Sequence, residues 1–179
     1  MNIGITGQMQ NGKDTVANMI KEMVSDFEIT HFADPLKEIC INYLGLSYED
    51  VYTSEGKAKY NDFWGMTNRE ILQKMGTEAF RKGFKSDVWV KLMELKLKNS
   101  NYIIPDVRFD DEAKVILDND GIIINVIRPF VNNSLKDLSH ESEKGVSKEL
   151  ITYTIINDSD LDSLKEKVKN ILFPENILN

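Results

Sequence analysis

The sequence predicts an α/β fold in which a parallel sheet of five strands is flanked by helices. Two observations support this prediction. Short β-branched runs alternate with stretches of helical periodicity along the whole chain, which is typical of parallel sheets with crossover helices. The apolar run at residues 122–127 is also continuous, as expected for a strand that is covered on both faces.

Five runs rich in β-branched residues and bounded by turn residues predict the strands. They lie at residues 2–6, 28–32, 102–105, 122–127 and 151–156. Apolar residues at helical spacing predict helices between and after these strands. The predicted helices cover residues 13–27, 36–44, 67–80, 86–97, 110–117 and 160–173.

Two local signals support the helix boundaries. Pro35 follows the second strand and is well placed at a first helical position. Thr67 is followed three residues later by Glu70, the spacing of a capping box.

Two stretches of the chain are irregular. Residues 46–68 lack a clear period and predict short helices and loop, and residues 129–150 are also irregular. Irregular stretches this long are usually functional segments or disordered.

Length and composition predict one globular domain spanning residues 1–179. The chain has 41% hydrophobic and 28% charged residues, and no apolar run approaches a membrane-spanning length. No signal peptide is visible at Met1, and Cys40 is the only cysteine, so a reducing, cytoplasmic setting is expected. A net charge of −7 and a pI near 4.9 argue against non-specific binding to nucleic acid or membranes.

A phosphate-binding loop is predicted directly after the first strand. Residues 7–13 read Gly-Gln-Met-Gln-Asn-Gly-Lys, which matches G-x-x-x-x-G-K between a strand and a long helix. Successive backbone N–H groups and the positive end of the helix dipole can hold phosphate there, and Lys13 can reach the outer phosphates. The pattern departs at Asp14, where Ser or Thr is usual, and Thr15 follows one place later. Asp14 is a hard oxygen ligand that suits Mg²⁺. The simpler alternative is a plain strand–turn–helix with two turn glycines.

Other phosphate-loop classes fit less well. The sequence has no Asn-Lys-x-Asp element and no Asp-x-x-Gly after the third strand, both of which a GTPase would usually carry. A motor or recombination ATPase would usually be longer. A small kinase of metabolites remains, and the two irregular stretches suit its acceptor site and its exclusion of water.

Arginine is rare here, with four residues against 18 lysines, which makes each arginine a candidate for bidentate phosphate binding. Asp106 and Arg108 follow the third strand, at the sheet edge where α/β ligands bind. Arg128 follows the fourth strand and is placed to act on the transferring phosphoryl group. The alternative for Asp106 and Arg108 is a helix N-cap and a surface arginine.

Four further residues are candidates on the acceptor side. Lys37 lies on an early helical turn, and Arg69 and Gln73 share one helix face at spacing i, i+4. Trp89 is either a base-stacking residue or a core residue. His140, Glu141 and Glu143 lie in the second irregular stretch. They predict a polar lid surface rather than a metal site, because further ligands are missing.

Several segments together resemble the phage-type deoxynucleoside monophosphate kinases. These segments follow one another in family order from the first strand to the last. They are Gly-Lys-Asp-Thr at 12–15, Ala-Asp-Pro-Leu-Lys at 33–37, Leu-Gln-Lys-Met-Gly-Thr-Glu at 72–78, Trp-Val-Lys at 89–91, Pro-Asp-Val-Arg at 105–108, Ser-His-Glu-Ser-Glu at 139–143 and Ile-Asn-Asp at 156–158. The departure at Asp14 is shared by that family.

The resemblance implies an adenylate-kinase-like fold, ATP with Mg²⁺ as donor, and a deoxynucleoside monophosphate as acceptor. It implies an acceptor-binding insertion at about residues 35–98 and a lid at about residues 129–150. It implies that Gly12, Lys13 and Thr15 bind ATP with Asp14 near the metal, and that Arg128 belongs to the lid. It implies an acceptor site with Lys37, Arg69, Trp89 and Arg108. Together with the motifs above, the candidate ATP-binding residues are Gly7, Asn11, Gly12, Lys13, Asp14 and Thr15. The candidate acceptor residues are Asp34, Lys37, Arg69, Gln73, Trp89, Asp106 and Arg108. The candidate metal-binding residues are Asp14, Thr15 and Asp106, and the candidate catalytic residues are Lys13, Arg108 and Arg128.

Two alternatives stay open at this point. An animal-type phosphomevalonate kinase shares the Gly-Lys-Asp loop, a Pro-Leu-Lys-Glu segment and an Asp-x-Arg strand end. A regulatory protein would bind nucleotide without transferring it. On the kinase interpretation the reaction is a direct in-line transfer, with no covalent phosphoenzyme and no required catalytic base. The expected partners are small nucleotides, not nucleic acid or membranes, and a homodimer through exposed helices is an open alternative to a monomer.

Overall fold

The computed structural model describes residues 1–98, 101–129 and 145–174, which form seven strands and eight α-helices. The strands are β1 (Ile3–Thr6), β2 (Phe27–Ile29), β3 (Tyr60–Asn61), β4 (Met66–Thr67), β5 (Asn101–Ile104), β6 (Ile122–Ile127) and β7 (Tyr153–Ile156). The helices are α1 (Lys13–Met23), α2 (Asp34–Leu44), α3 (Tyr48–Tyr52), α4 (Ser54–Ala58), α5 (Asn68–Gln73), α6 (Val88–Leu97), α7 (Asp110–Leu117) and α8 (Leu161–Leu172). No helix in the described part of the chain is long and apolar enough to cross a membrane.

The chain divides into two compact units, of which the first contains Met1–His31 and Met93–Asn179. Its centre is a parallel sheet with the strand order β2–β5–β1–β6–β7. The central strands carry fully buried isoleucines, such as Ile5 on β1 and Ile124 on β6, as expected where both faces are covered. The predicted five-stranded parallel sheet flanked by helices is confirmed.

Two predicted strands are shorter in the structure than in the sequence prediction. β2 ends at Ile29 rather than at residue 32, because it is an edge strand that pairs only with three residues of β5. β7 begins at Tyr153 rather than at residue 151, since residues 148–150 form a 3₁₀ turn before it. A hydrophobic core lies between the five-stranded sheet and the helices α1 and α8. Val16, Ile20 and Val168 are buried in this core.

The second unit, Phe32–Leu92, has a small core of its own around Cys40, Leu46, Val51 and Ile71. Residues 46–68 contain two short helices, as predicted, and also the antiparallel pair β3–β4, which the prediction missed. Strands of two residues are too short to show an alternating pattern. The unit overlaps most of the predicted acceptor-binding insertion, and the binding role of that insertion stays a prediction.

The predicted capping box at the start of α5 is confirmed. The Glu70 N–H donates to the Thr67 side chain, and the Glu70 carboxylate accepts the Thr67 N–H at 2.8 Å. The predicted helix continues beyond Gln73, but as a π-helical segment, Lys74–Lys82, rather than as a regular α-helix. A Cβ at Gly76 would lie 2.8 Å from the Leu36 side chain, so this glycine permits a close approach that periodicity alone does not reveal.

Candidate active site

The loop between β1 and α1 has the backbone shape that its glycines predict. Gly7 and Gly12 have φ values of 137° and 97°, a region that L side chains rarely adopt. A Cβ at Gly7 would collide with the backbone carbonyl oxygen of Val126, so this glycine also permits the loop to pack against β6. α1 begins directly after Gly12, which leaves its first N–H groups at the loop. The loop therefore combines an anion-binding turn with a helix N-terminus.

Two buried asparagines fix the loop to the sheet. The Asn11 side chain donates a hydrogen bond of 2.9 Å to the Val126 carbonyl. The Asn157 side chain, which follows β7, donates one of 3.0 Å to the Asn11 carbonyl. Both residues are less than one-tenth exposed, so these bonds form away from bulk water. We call this pair of hydrogen bonds the asparagine relay.

Lys13 lies across the loop rather than extending into solvent. Its Nζ donates to the carbonyl oxygens of Gly7 at 2.8 Å and Gln8 at 2.9 Å. An ammonium group held within the loop is placed where a bound anion would need a counter-charge. Asp14 and Thr15, in the first turn of α1, add a carboxylate and a hydroxyl.

A cleft of about 890 Å³ within the first unit brings most of the predicted first-unit residues together. Its walls come from the loop, the segment after β5, the end of β6 and the segment before β7. The predicted residues that line it are Gly7, Asn11, Lys13, Asp14, Asp106, Arg108 and Arg128. Three cationic side chains and two carboxylates among the predicted site residues thus line one cavity. This combination suits an anionic ligand that is bound together with a metal cation.

The segment after β5 is held by a residue that the sequence prediction did not include. Glu112 is only 3% exposed, and its carboxylate accepts the backbone N–H groups of Arg108 at 2.8 Å and Phe109 at 3.2 Å. α7 begins at Asp110 with Phe109 at the N-cap position, so the alternative that Asp106 is the helix cap is wrong. Arg108 itself is exposed and lines the cleft.

A second cleft, of about 610 Å³, lies beside the start of α1. It is lined by Gly12, Thr15, Arg128 and Asn157, together with the residues 159–162 that lead into α8. Arg128 lines both clefts. Arg128 is therefore the predicted cationic residue that the two clefts share.

The predicted acceptor residues of the second unit differ in exposure and in their contacts. Lys37 pairs with Asp34 at 3.8 Å and lies 4.1 Å from the centre of the Tyr52 ring. The Tyr52 hydroxyl donates to Asp34 at 3.3 Å, and burial together with the Asp34 charge raises the pKa of Tyr52 to about 12. Arg69 and Gln73 are exposed on α5.

Trp89 is a core residue of the second unit in this structure. It is 5% exposed, its indole N–H donates to the Gly76 carbonyl at 3.1 Å, and its ring lies 5.1 Å from the Phe80 ring. The placement favours the core alternative over base stacking, because the ring is covered and its polar edge already has a partner.

The residues proposed for a metal ion have suitable chemistry. The side chains of Asp14, Thr15 and Asp106 offer hard oxygen atoms at or beside the phosphate loop. Among the described residues there is no cluster of three or more His, Cys, Asp or Glu that would hold a metal alone. This donor set fits Mg²⁺, which is usually bound by one or two carboxylates and the phosphates of its nucleotide.

Two predictions cannot be compared with the structure. His140, Glu141 and Glu143 lie outside the described residues, as does most of the predicted lid at about residues 129–150.

Several site residues were missed by the sequence prediction. Glu112 and Lys148 look like ordinary surface charges in a chain that is 28% charged, and Asn157 was recognised only as part of a resembling segment.

Comparison with known proteins shows the family of the chain. The sequence model of a family described as deoxynucleotide monophosphate kinase matches residues 57–168. A putative deoxynucleotide monophosphate kinase of Acanthamoeba polyphaga mimivirus is 32% identical over 157 residues, which covers 79% of each chain. The deoxynucleoside-5′-monophosphate kinase of Escherichia phage T5 is 25% identical, with 94% of each chain covered.

Solved structures support the same fold. A shikimate kinase from Aquifex aeolicus vf5 superposes with a TM-score of 0.52 at 13% identity, and each chain is covered completely. This likeness shows the fold alone. The family model covers more than half of the chain, and the mimivirus relative is similar over more than two thirds of it. The chain therefore belongs to the deoxynucleotide monophosphate kinase family.

Proposed function

We propose that this protein transfers the γ-phosphoryl group of ATP to the phosphate of a deoxynucleoside monophosphate, giving ADP and the deoxynucleoside diphosphate. The observation that carries the proposal is the cleft in the first unit, where the phosphate loop, Arg108 and Arg128 line one cavity. Phosphoryl transfer requires two phosphate groups side by side with their charge neutralised. Family membership favours this acceptor over the phosphomevalonate alternative.

On the donor side, the loop N–H groups and Lys13 bind the phosphates of ATP. Gly7 and Gly12 give the loop its shape, and Asn11 holds it against β6. The cleft beside Gly12 and Thr15 is adjacent to this loop, so we assign the adenosine part of ATP to it. Asp14, Thr15 and Asp106 would hold Mg²⁺, which neutralises phosphate charge when it is bound.

On the acceptor side, Arg108 binds the monophosphate and Arg128 stabilises the group in transfer. The exposed guanidinium of Arg108 suits bidentate binding of a phosphate. Arg128 lines both clefts. Its positive charge can therefore stabilise the negative charge of the phosphoryl group during transfer from donor to acceptor. The acceptor phosphate is already an anion, and no residue is required to remove a proton from it. The reaction is then a direct in-line transfer, in which positioning and charge neutralisation supply the catalysis.

The second-unit residues Lys37, Arg69 and Gln73 stay predictions for recognition of the acceptor nucleotide, with Asp34 as the ion-pair partner of Lys37. Trp89 belongs to this set only if its ring becomes uncovered when nucleotide binds. Alanine variants of Arg69 and Gln73 test the set, because a recognition role raises the KM for the monophosphate and leaves the KM for ATP unchanged.

The experiment that tests the function is ADP formation from ATP and Mg²⁺ with a panel of acceptors. The panel contains the deoxy- and ribonucleoside monophosphates, phosphomevalonate and a blank without acceptor. Turnover with at least one deoxynucleoside monophosphate supports the proposal and identifies the accepted bases. Turnover with phosphomevalonate alone contradicts the acceptor, and ATP binding without acceptor-dependent turnover supports the regulatory alternative.

Lys13→Ala is the matched variant for this assay. It removes the ammonium group held at the loop carbonyls, and we expect loss of turnover with the fold retained. Lys165→Ala is the control, because Lys165 is an exposed lysine of α8 that pairs with Glu22 at 3.7 Å. Wild-type activity in Lys13→Ala would contradict the role of the phosphate loop.

Two further proposals concern the setting of the protein. Cys40 is a free buried thiol, which suits the reducing environment of a cytoplasm. Homodimerisation through exposed helices stays a prediction, and light scattering at several protein concentrations tests it. A mass near 20.5 kDa throughout would identify a monomer.

A further inference from the structure

A pair of hydrogen bonds fastens the segment before β7 to the start of α7. The Ser147 backbone N–H donates to one carboxylate oxygen of Asp110 at 2.8 Å, and the Ser147 hydroxyl donates to the other at 2.7 Å. These two bonds hold the pKa of Asp110 below its ordinary value. We call this contact the Asp110–Ser147 clamp.

The same segment is fixed again a few residues later. The Thr152 N–H donates to the Ile123 carbonyl at 2.9 Å, and the Thr152 hydroxyl accepts the Ile123 N–H at 3.0 Å. Between these two points the chain forms the 3₁₀ turn Lys148–Leu150. The backbone of Lys148 is therefore held at both ends by hydrogen bonds to β6 and α7.

Lys148 lines the 890 Å³ cleft together with Lys13, Arg108 and Arg128. Its side chain is exposed, and no hydrogen bond or ion pair of its ammonium group is found within the described part of the chain. Some exposed lysines of the first unit do have carboxylate partners, such as Lys165 with Glu22 and Lys167 with Asp158. The backbone of Lys148 is thus held beside the cleft, and no described carboxylate pairs with its ammonium group.

The clamp places Lys148 on the side of the cleft that contains Arg108. Asp110 lies two residues after Arg108, and Ser147 lies directly before Lys148. Both segments are tied to the start of α7, the first by Glu112 and the second by Asp110. The backbones of Arg108 and Lys148 are therefore anchored to the same helix start, and both residues line the cleft.

We propose that Lys148 is a second binding residue for the phosphate of the acceptor nucleotide, and that the Asp110–Ser147 clamp positions it. This inference rests on the proposed kinase function and adds a residue to its acceptor site. A phosphate dianion retains one negative charge after pairing with a single arginine. A lysine supplies the second charge without the geometric demands of another guanidinium.

The test uses the full chain and compares Lys148→Met with Lys148→Arg. Met keeps much of the length of the side chain and removes its charge. We expect Lys148→Met to raise the KM for the best deoxynucleoside monophosphate about tenfold, the loss expected for one exposed charged contact. The KM for ATP should change less than about twofold, and Lys148→Arg should keep the wild-type KM for the acceptor within about threefold. Lys165→Met is the control, since it removes a lysine outside the cleft.

The role of the clamp is tested by a double-mutant cycle of Ser147→Ala and Lys148→Met. Ser147→Ala should raise the KM for the acceptor when Lys148 is present and have little further effect when Met replaces it. Equal increases of the acceptor KM by Ser147→Ala in both backgrounds would show that the clamp acts independently of Lys148 and would overturn its positioning role.

Other outcomes distinguish this inference from the proposed function. An unchanged acceptor KM in Lys148→Met, or an increase confined to the KM for ATP, would overturn the assignment of Lys148 while the kinase function stands. If the wild-type protein shows no turnover, the proposed function fails, and calorimetric binding of the four deoxynucleoside monophosphates decides the inference. Weaker binding by Lys148→Met would then support it, and equal binding would overturn it.

Discussion

The asparagine relay predicts that a residue far from the phosphate loop in sequence controls nucleotide affinity. Asn157→Ala removes the donor that reaches the Asn11 carbonyl at 3.0 Å. Both asparagines are buried, at 6% and 8% exposure, so water does not readily replace the lost donor. Leaving a buried polar group without its partner costs about 1–3 kcal/mol.

That cost has two expected consequences. The first is a lower melting temperature, by about 2–12 °C for a domain of this size, with the fold retained because total stability is about 5–15 kcal/mol. The second is weaker ATP binding. Without this hydrogen bond the loop should adopt its binding conformation for only about a tenth of the time. The apparent Kd for ATP then rises by about tenfold, because it is divided by that fraction.

The assay measures thermal unfolding and calorimetric ATP binding on the same samples. Asn119→Ala is the matched control, because its side-chain amide donates to the Val115 carbonyl at 2.8 Å at the end of α7, away from the loop. We expect the control to lose stability while ATP affinity stays at the wild-type value. Unchanged ATP affinity in Asn157→Ala, despite a lower melting temperature, would refute the reasoning.

Three other predictions concern separate residues. Arg128→Ala should lower kcat at least about tenfold while the Kd for ATP changes less than about threefold, because its contact strengthens as charge moves. Single-turnover kinetics and calorimetry measure the two effects, and a change in ATP affinity alone would contradict the role. The lowered pKa of Asp110 means that the clamp stabilises the fold above about pH 4 and that this stabilisation is lost as pH falls through the lowered pKa. Urea unfolding between about pH 6 and about pH 3 should therefore show a shallower pH dependence in Asp110→Asn than in wild type. Burial raises the pKa of Cys40, so a thiol reagent should label native protein at least about 100-fold more slowly than urea-unfolded protein, and rapid native labelling would contradict a folded core around Cys40.

The parts of the fold that the sequence predicts are those whose signals are local. The phosphate loop is contiguous, its glycines are required by positive φ angles, and the strand before it is a compact β-branched run. The capping box at Thr67 and Glu70 is likewise contained in four residues. In each case the interacting groups are close in the chain, so their spacing indicates the structure.

The parts that the sequence did not predict depend on contacts between distant residues. Asn157 and Asn11 are 146 positions apart, and Ser147 and Asp110 are 37 positions apart. Glu112 is only four residues from Arg108, but an acidic residue in the first turn of a helix is too common to mark a functional role. The helical period also does not distinguish the π-helical segment after Gln73 from an α-helix, and it does not reveal the close approach of Gly76 to Leu36.

Topology explains why predicted residues from separate segments meet in one cleft. Because β1 lies between β5 and β6 in a parallel sheet, the residues that follow these three strands emerge side by side at one edge. They carry the phosphate loop, Arg108 and Arg128, so the relative order of the cations is set by strand order rather than by loop length. Lys148 reaches the same cleft by another route, since it precedes β7 and depends on the clamp to hold it there. Substitutions at the clamp should therefore reduce the contribution of Lys148 to acceptor binding, which the double-mutant cycle of Ser147→Ala and Lys148→Met measures directly.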